Sequence, residues 1–322
     1  MRHLYRVTAL ILAFICASFG AAHAADYPTR PIKWIVGYPP GGTTDVLARL
    51  IAQPLSEKLG QQVIVENKPG AGNNIGTEAV INSTPDGYTM LLVNPANFIN
   101  ATLYKNLNFN FVRDIAPVAG LVSTPNVMVV SNSVPAKTVA EFLAYCKANP
   151  GKVNMASSGS GTSVHLSGEL FKFMTGCNMV HVPYKGAGPA LIDLTAGQVQ
   201  VLFDNLPSSV PHIKNGRIRA LAVTSSAAEP SMPELPTVAA TVAGYEATAS
   251  FGIGMPRNTP PEIVNRVNTE VNRILADPAM RARLADLGGV NISGTPADFG
   301  KIIVSETEKW AKVINASGVK LD

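Results

Sequence analysis

Hydrophobic and polar positions along the chain follow two alternating rhythms. Short apolar runs recur at 32–36, 63–66, 88–93, 127–130, 153–156, 179–182, 199–203 and 218–223, the length and composition of buried strands. Between them lie longer stretches, 45–59, 75–82, 139–149, 163–175 and 189–196, in which apolar residues return every three or four positions, as on one face of a helix. Strand and helix in alternation predict an α/β protein, with mainly parallel sheets flanked by helices on both faces. From Pro260 the pattern turns mainly helical, over 260–276, 278–287 and 296–316, and each of these opens on a proline in its first turn, where the missing N–H costs least. Pro54 falls inside the 45–59 pattern and should bend that helix. The Pro- and Ser-rich stretch 225–236 keeps neither period and reads as a surface loop.

The first residues change the picture of the N-terminus. A basic start (Arg2, Arg6), an apolar run over 7–19 and the small-residue end Ala22-His23-Ala24 make residues 1–24 a cleavable secretion signal. The apolar run is too short to span a bilayer. Cys16 follows Phe14-Ile15 rather than a small residue, which argues against a lipid anchor. Removing Arg2 and Arg6 from 26 basic residues leaves 24 against 22 acids, a nearly neutral mature chain without the basic face of a nucleic-acid binder. Its length suits two domains.

Two cysteines, Cys146 and Cys177, remain after processing. In an oxidising compartment they could pair, since one closes a predicted helix and the other follows one; the alternative is two separate buried thiols. Export disfavours a catalytic cysteine. Two thiols without a matched histidine pair do not make a metal site.

The candidate chemistry lies in two strand-to-helix loops. Gly37-Tyr38-Pro39-Pro40-Gly41-Gly42-Thr43-Thr44-Asp45 follows the strand at 32–36, and Ser157-Ser158-Gly159-Ser160-Gly161-Thr162-Ser163-Val164-His165 follows the one at 153–156. Both combine glycines with hydroxyl residues where a helix begins. The first amides of a helix lack internal partners and carry partial positive charge, so an anion is the natural ligand and no Arg or Lys is needed. Simple helix capping by Thr43 or Thr44 and by Thr162 or Ser163 accounts for one hydroxyl per loop and leaves the others unexplained. A nucleotide loop would want Gly-Lys-Ser/Thr, which is absent. Gly70-Ala71-Gly72-Asn73-Asn74-Ile75-Gly76 resembles a dinucleotide fingerprint with its last glycine one position late. A hydrolase elbow needs Gly-x-Ser-x-Gly, and Ser158-Gly159-Ser160-Gly161 has its glycines in the wrong places. His165, in a first turn, reads as a packed or capping residue. If the Thr162 hydroxyl contacts the anion, Thr162→Ala should weaken binding by about 1–3 kcal/mol.

Taken in order, the loop at 38–45, Glu66-Asn67-Lys68-Pro69-Gly70-Ala71-Gly72, Pro85-Asp86-Gly87-Tyr88-Thr89, the loop at 157–162 with His165-Leu166, His181-Val182-Pro183-Tyr184-Lys185-Gly186, Gly252-Ile253-Gly254-Met255-Pro256 and the Trp310 helix resemble the Bug-type receptors, periplasmic solute-binding proteins of tripartite tricarboxylate transporters. The resemblance implies a type II, Venus-flytrap fold with domain one formed by 27–125 and 250–322 and domain two by 126–249. It implies a small carboxylated ligand held in the cleft without cofactor or metal, delivery to membrane permease subunits, a monomeric receptor and a periplasmic location. Carried over position by position, it assigns ligand contact to Tyr38, Gly42, Thr43 and Asp45 in the first loop and to Gly159, Gly161, Thr162 and Ser163 in the second. Asn94 and Ala96 fall in a third cleft loop, and Tyr184 and Asp204 face the distal part of the ligand. Asn73 departs from the family, which often has another glycine there. A periplasmic hydrolase of a carboxylated substrate and a ligand-sensing partner of a membrane kinase are the alternative functions.

Overall fold

Strand β1 (Ile32–Val36) places Ile32, Trp34 and Val36 in one apolar cluster and Ile35 in another on the opposite face, the period-2 signature of a strand buried on both sides. The computed structural model describes residues 27–317; the expected secretion signal lies outside the described residues. Helix α1 (Thr43–Leu59) follows β1, then β2 (Val63–Asn67), α2 (Asn74–Ile81), β3 (Thr89–Val93), α3 (Pro95–Leu103) and the short α4 (Phe111–Asp114). A 17-residue strand, β4 (Ile115–Ser131), comes next. After it run α5 (Val139–Ala148), β5 (Val153–Ser157), α6 (Ser163–Thr175), β6 (Met179–Pro183), α7 (Ala187–Thr195), β7 (Val201–Asn205), α8 (Leu206–Lys214) and β8 (Ile218–Val223). Strand β9 (Thr248–Pro256), α9 (Pro261–Ala276), α10 (Pro278–Ala285), the two-residue β10 (Val290–Asn291) and α11 (Pro296–Ser317) complete the described chain.

The strand order is β2-β1-β3-β9-β4-β7-β5-β6, with β8 and β10 also paired to β4. Strand β4 belongs to two sheets: up to Pro125 it pairs with β9, and from Asn126 onward it pairs with β7, with Val127 onward also pairing β8. The outer strands of each sheet are parallel (β2-β1-β3 and β6-β5-β7), whereas β4 and β9 run antiparallel to their neighbours because they carry the chain from one sheet to the other and back. Each sheet has an apolar cluster on either face. Val127 and Val129 enter one cluster of the second sheet while Met128 and Val130 enter the other, so a continuous apolar run is required there.

Helix α1 continues through Pro54, which stands inside it without ending it. Asn73, at the family's glycine position, keeps a left-handed backbone (φ 82°), a conformation asparagine adopts more readily than most residues. Cys146 and Cys177 are buried free thiols rather than a disulfide. They are neighbours in one core cluster, and the hydrogen bond from Cys146 to Cys177, with burial, raises the Cys146 pKa.

Candidate functional site

Five helices begin around one small cavity. It is lined by Thr43 and Thr44 of α1, Pro95 and Ala96 of α3, Ser163 of α6, Ala187 of α7 and Asn205 just before α8, with Tyr38, Gly42, Asn94, Ser158, Thr162 and Phe251 between them. The lining contains no Asp, Glu, Lys, Arg or His. Its volume is about 30 Å³, room for a group of two or three heavy atoms where a single water needs ~10–15 Å³. Tyr38 and Ser158 also line an adjoining outer chamber of about 280 Å³, walled by Gly70, Gly72, Tyr104, Gly159, Tyr184 and the exposed Lys185 among others.

The helix starts are not equivalent. Thr162 caps α6, its Oγ1 accepting from His165 N at 3.2 Å while donating to Gly159 O at 2.8 Å. Asn94 caps α3 through Ala96 N (3.1 Å) in a capping box with Asn97. No side chain of their own cap residues closes α1, α7 or α8. Thr43 and Thr44, in the first turn of α1, line the chamber with no capping side chain at that helix start, and α7, beginning at Ala187, packs against Gly42.

The second loop is braced from below by two stacked imidazoles. The rings of His165 and His181 lie 4.0 Å apart and 20° from parallel. His165 Nδ1 accepts from Gly161 N (3.3 Å), and His181 Nε2 lies 2.7 Å from Ser157 Oγ, which accepts from Gly159 N (3.2 Å). Burial, with His181 and Lys172 nearby, lowers the His165 pKa to about 3, so the ring stays neutral and able to accept. Gly161 is required here: its φ is +82°, and a Cβ would meet Asn100 Oδ1 at 2.2 Å.

The expected site residues separate into three groups. Tyr38, Gly42, Thr43, Asn94, Ala96, Thr162 and Ser163 line the inner chamber. Gly159 and Tyr184 line the outer one, with the Tyr184 hydroxyl donating to Asp193 at 2.6 Å; burial first, then Asp193, pushes that phenol up to about 12. Asp45, Gly161 and Asp204 line neither chamber. Asp45 faces away from the ligand space: its carboxylate accepts from Gly41 N (3.1 Å), Arg49 Nε (3.0 Å) and Asn67 Nδ2 (3.0 Å). Burial works against its charge, and these bonds outweigh it and lower its pKa. Asp204 is fully buried and accepts from Ser208 and Ser209 (2.5 and 2.8 Å). Thr44, Ser158, Ala187, Asn205 and Phe251 are lining residues that sequence reasoning did not select. Ala187 and Asn205 carry the same strand–loop–helix signature as the chosen loops, the first with glycines (Gly186, Gly188) and the second with hydroxyls (Ser208, Ser209), but neither with the two combined.

Two sheets sharing crossing strands, with an uncharged chamber of converging helix starts between them, define a solute-binding receptor of the periplasmic type. Known proteins similar to it carry the same description. The chain belongs to the tripartite tricarboxylate transporter receptor family (TctC), whose sequence profile matches residues 47–319. It is 38% identical over 323 residues to the protein BugT of Bordetella pertussis, covering 98% of each chain. Among solved structures it is similar to Rpa4515 of R. palustris with adipate (TM-score 0.90, 38% identity, 92% of this chain and 99% of that one). It is also similar to MatC of Rhodopseudomonas palustris with bound malate (TM-score 0.85, 30% identity, 89% of this chain and 100% of that one). The family's members are periplasmic receptors, and among the described residues no helix is long and apolar enough to cross a membrane.

Proposed function

We propose that this protein captures a small carboxylated solute between two lobes, residues 27–125 with 250–322 and residues 126–249, and presents it to the permease subunits of a tripartite transporter. The inner chamber carries the reading: a head group of carboxylate size meets first-turn amides from helices of both lobes and no charged side chain. Adipate in one relative and malate in another are ligands of the class that this chamber would accept. The rest of the ligand would lie in the outer chamber against Tyr104, Tyr184 and Lys185. A ligand gripped by both lobes favours the closed state by its differential affinity for that state, and closure is the message to the permease.

The receptor performs no chemistry on the ligand. The inner chamber is lined by no carboxylate, imidazole or cationic side chain, and of the two imidazoles beneath it His165 has Nδ1 engaged by Gly161 N while His181 Nε2 is bonded to Ser157 Oγ. Export through a cleaved signal places the mature chain in the periplasm as a monomer. The test is a thermal-shift screen over mono-, di- and tricarboxylates followed by titration calorimetry, with amides of the same acids as controls. A native-state ligand raises the melting point, and the account expects an acid to do so where its amide does not. Equal shifts for acid and amide, or none for any acid, would overturn it.

A further inference from the structure

Helix α8 begins without a cap of its own. Its N-cap residue Asn205 turns its side chain away, Nδ2 donating to Asn126 Oδ1 (2.6 Å) and Ser163 Oγ (3.1 Å). Pro207 at the second helical position has no N–H, so the third, Ser208, presents the amide that an N-cap side chain would ordinarily bind. The acceptor it finds comes from the other lobe: Ser208 N donates to Thr43 Oγ1 at 3.2 Å, across 165 residues of sequence.

The side chains fix the direction of the rest. Ser208 Oγ has one proton, and it is directed to Asp204 Oδ2 (2.5 Å) and Asn205 O (2.9 Å). Between Thr43 Oγ1 and Ser208 Oγ, 3.0 Å apart, Thr43 is therefore the donor. The Thr43 hydroxyl is bonded in both senses to a residue of the second lobe, and only its backbone remains for a ligand. Asp204 anchors the chain of bonds: it is fully buried and accepts from Ser208 and from Ser209.

We propose that Thr43 caps helix α8 in trans and that Asp204 orients Ser208 to receive it, so that closing the cleft completes a helix cap which opening it breaks. Thr43 acts as the latch and Asp204 as its positioning residue. The latch rests on the two-lobe receptor reading. Its strength adds to whatever the ligand contributes, and it sets how long a loaded receptor stays closed.

The experiment measures the interlobe distance distribution by electron spin resonance, with one label on an exposed residue of each lobe, in the free protein and with adipate and malate, and the ligand dissociation rate by stopped flow. In Thr43→Val, which keeps the shape and removes the hydroxyl, the closed population falls and dissociation quickens about five- to tenfold, the effect of losing one helix cap. Thr43→Ser restores both to the wild-type values. Asp204→Asn shifts the distribution in the same direction; should that buried variant fail to fold, Thr43→Val and Ser208→Ala still decide. Wild-type closure with unchanged Thr43→Val and Ser208→Ala distributions and rates would overturn the latch alone. A wild-type chain that never populates short interlobe distances would sink the receptor reading and the latch together.

Discussion

The two anion loops look alike in sequence and differ in how they use their donors. The loop at 41–44 leaves its helix start uncapped, ties Gly41 N to the inward-turned Asp45 and hands the Thr43 hydroxyl to Ser208 at the start of α8. The loop at 157–162 is closed upon itself: Thr162 caps α6, and Gly159 and Gly161 give their amides to Ser157 and His165. One loop is bare and available; the other is a prebuilt wall. The lesson is that a glycine- and serine-rich stretch at a helix start is ambiguous until each amide's partner is known.

The largest effect expected from breaking this contrast is at Gly161. Alanine there must hold a positive φ and displace Asn100, at a combined cost of about 3 kcal/mol in unfolding free energy by denaturant titration, with ligand binding lost as the wall deforms. An alanine tolerated at wild-type stability would show that the wall is not rigid.

Acid should discriminate two buried groups by sign. The His165 ring is neutral in the folded state down to about 3, whereas an unfolded histidine takes up its proton near 6.5. Its contribution to stability is present above pH 6.5 and is lost as pH falls toward 3. Asp204, raised to about 6 by burial against the serine hydrogen bonds, acts oppositely: stability rises as pH falls through 6 toward the unfolded value near 4. Melting temperatures from pH 7 to pH 4 should fall less steeply in His165→Gln and more steeply in Asp204→Asn than in the wild type, and parallel curves would refute both assignments.

A smaller effect belongs to Thr162. Its hydroxyl is engaged at both ends within its own loop, so Thr162→Ala should cost about 1 kcal/mol of stability by denaturant titration with affinity nearly unchanged, rather than the direct loss of ligand contact that the sequence suggests. The smallest is at exposed Lys185 in the outer chamber: Lys185→Ala should weaken a dicarboxylate by about 0.5 kcal/mol in calorimetry and leave a monocarboxylate unaffected.

The alternating pattern made β1, α1, β5 and α6 legible, because each has a clean period and a clear start. Helix α3 was hidden: Asn94, Asn97 and Asn100 look like loop residues, yet all three are buried and bonded, to Ala96 N, Thr77 and Gly72 O among others. Strand β4 appeared as only four residues since Pro117, Gly120 and Pro125 interrupt its apolar run, although β9 pairs with it through register shifts across that stretch. Strand β9 itself carries Gly252, Gly254 and Pro256, poor strand formers; at Gly252 a Cβ would run into Phe299. In the site, sequence found the loops and missed the direction of their side chains. Asp45 and Asp204 entered the expected site through the family resemblance alone, and in the structure each carboxyl turns toward donors of the protein, as a carboxylate beside a bound anion would be repelled.

The central claim concerns what holds the solute's head group, and the crystal structure of the complex with the carboxylate giving the largest thermal shift tests it directly. The account predicts a carboxylate in the inner chamber accepting from the backbone amides of Thr43, Thr44 and Ser163, with no Lys or Arg in ion-pair reach. A carboxylate paired with Lys185 while an apolar end fills the inner chamber would contradict it.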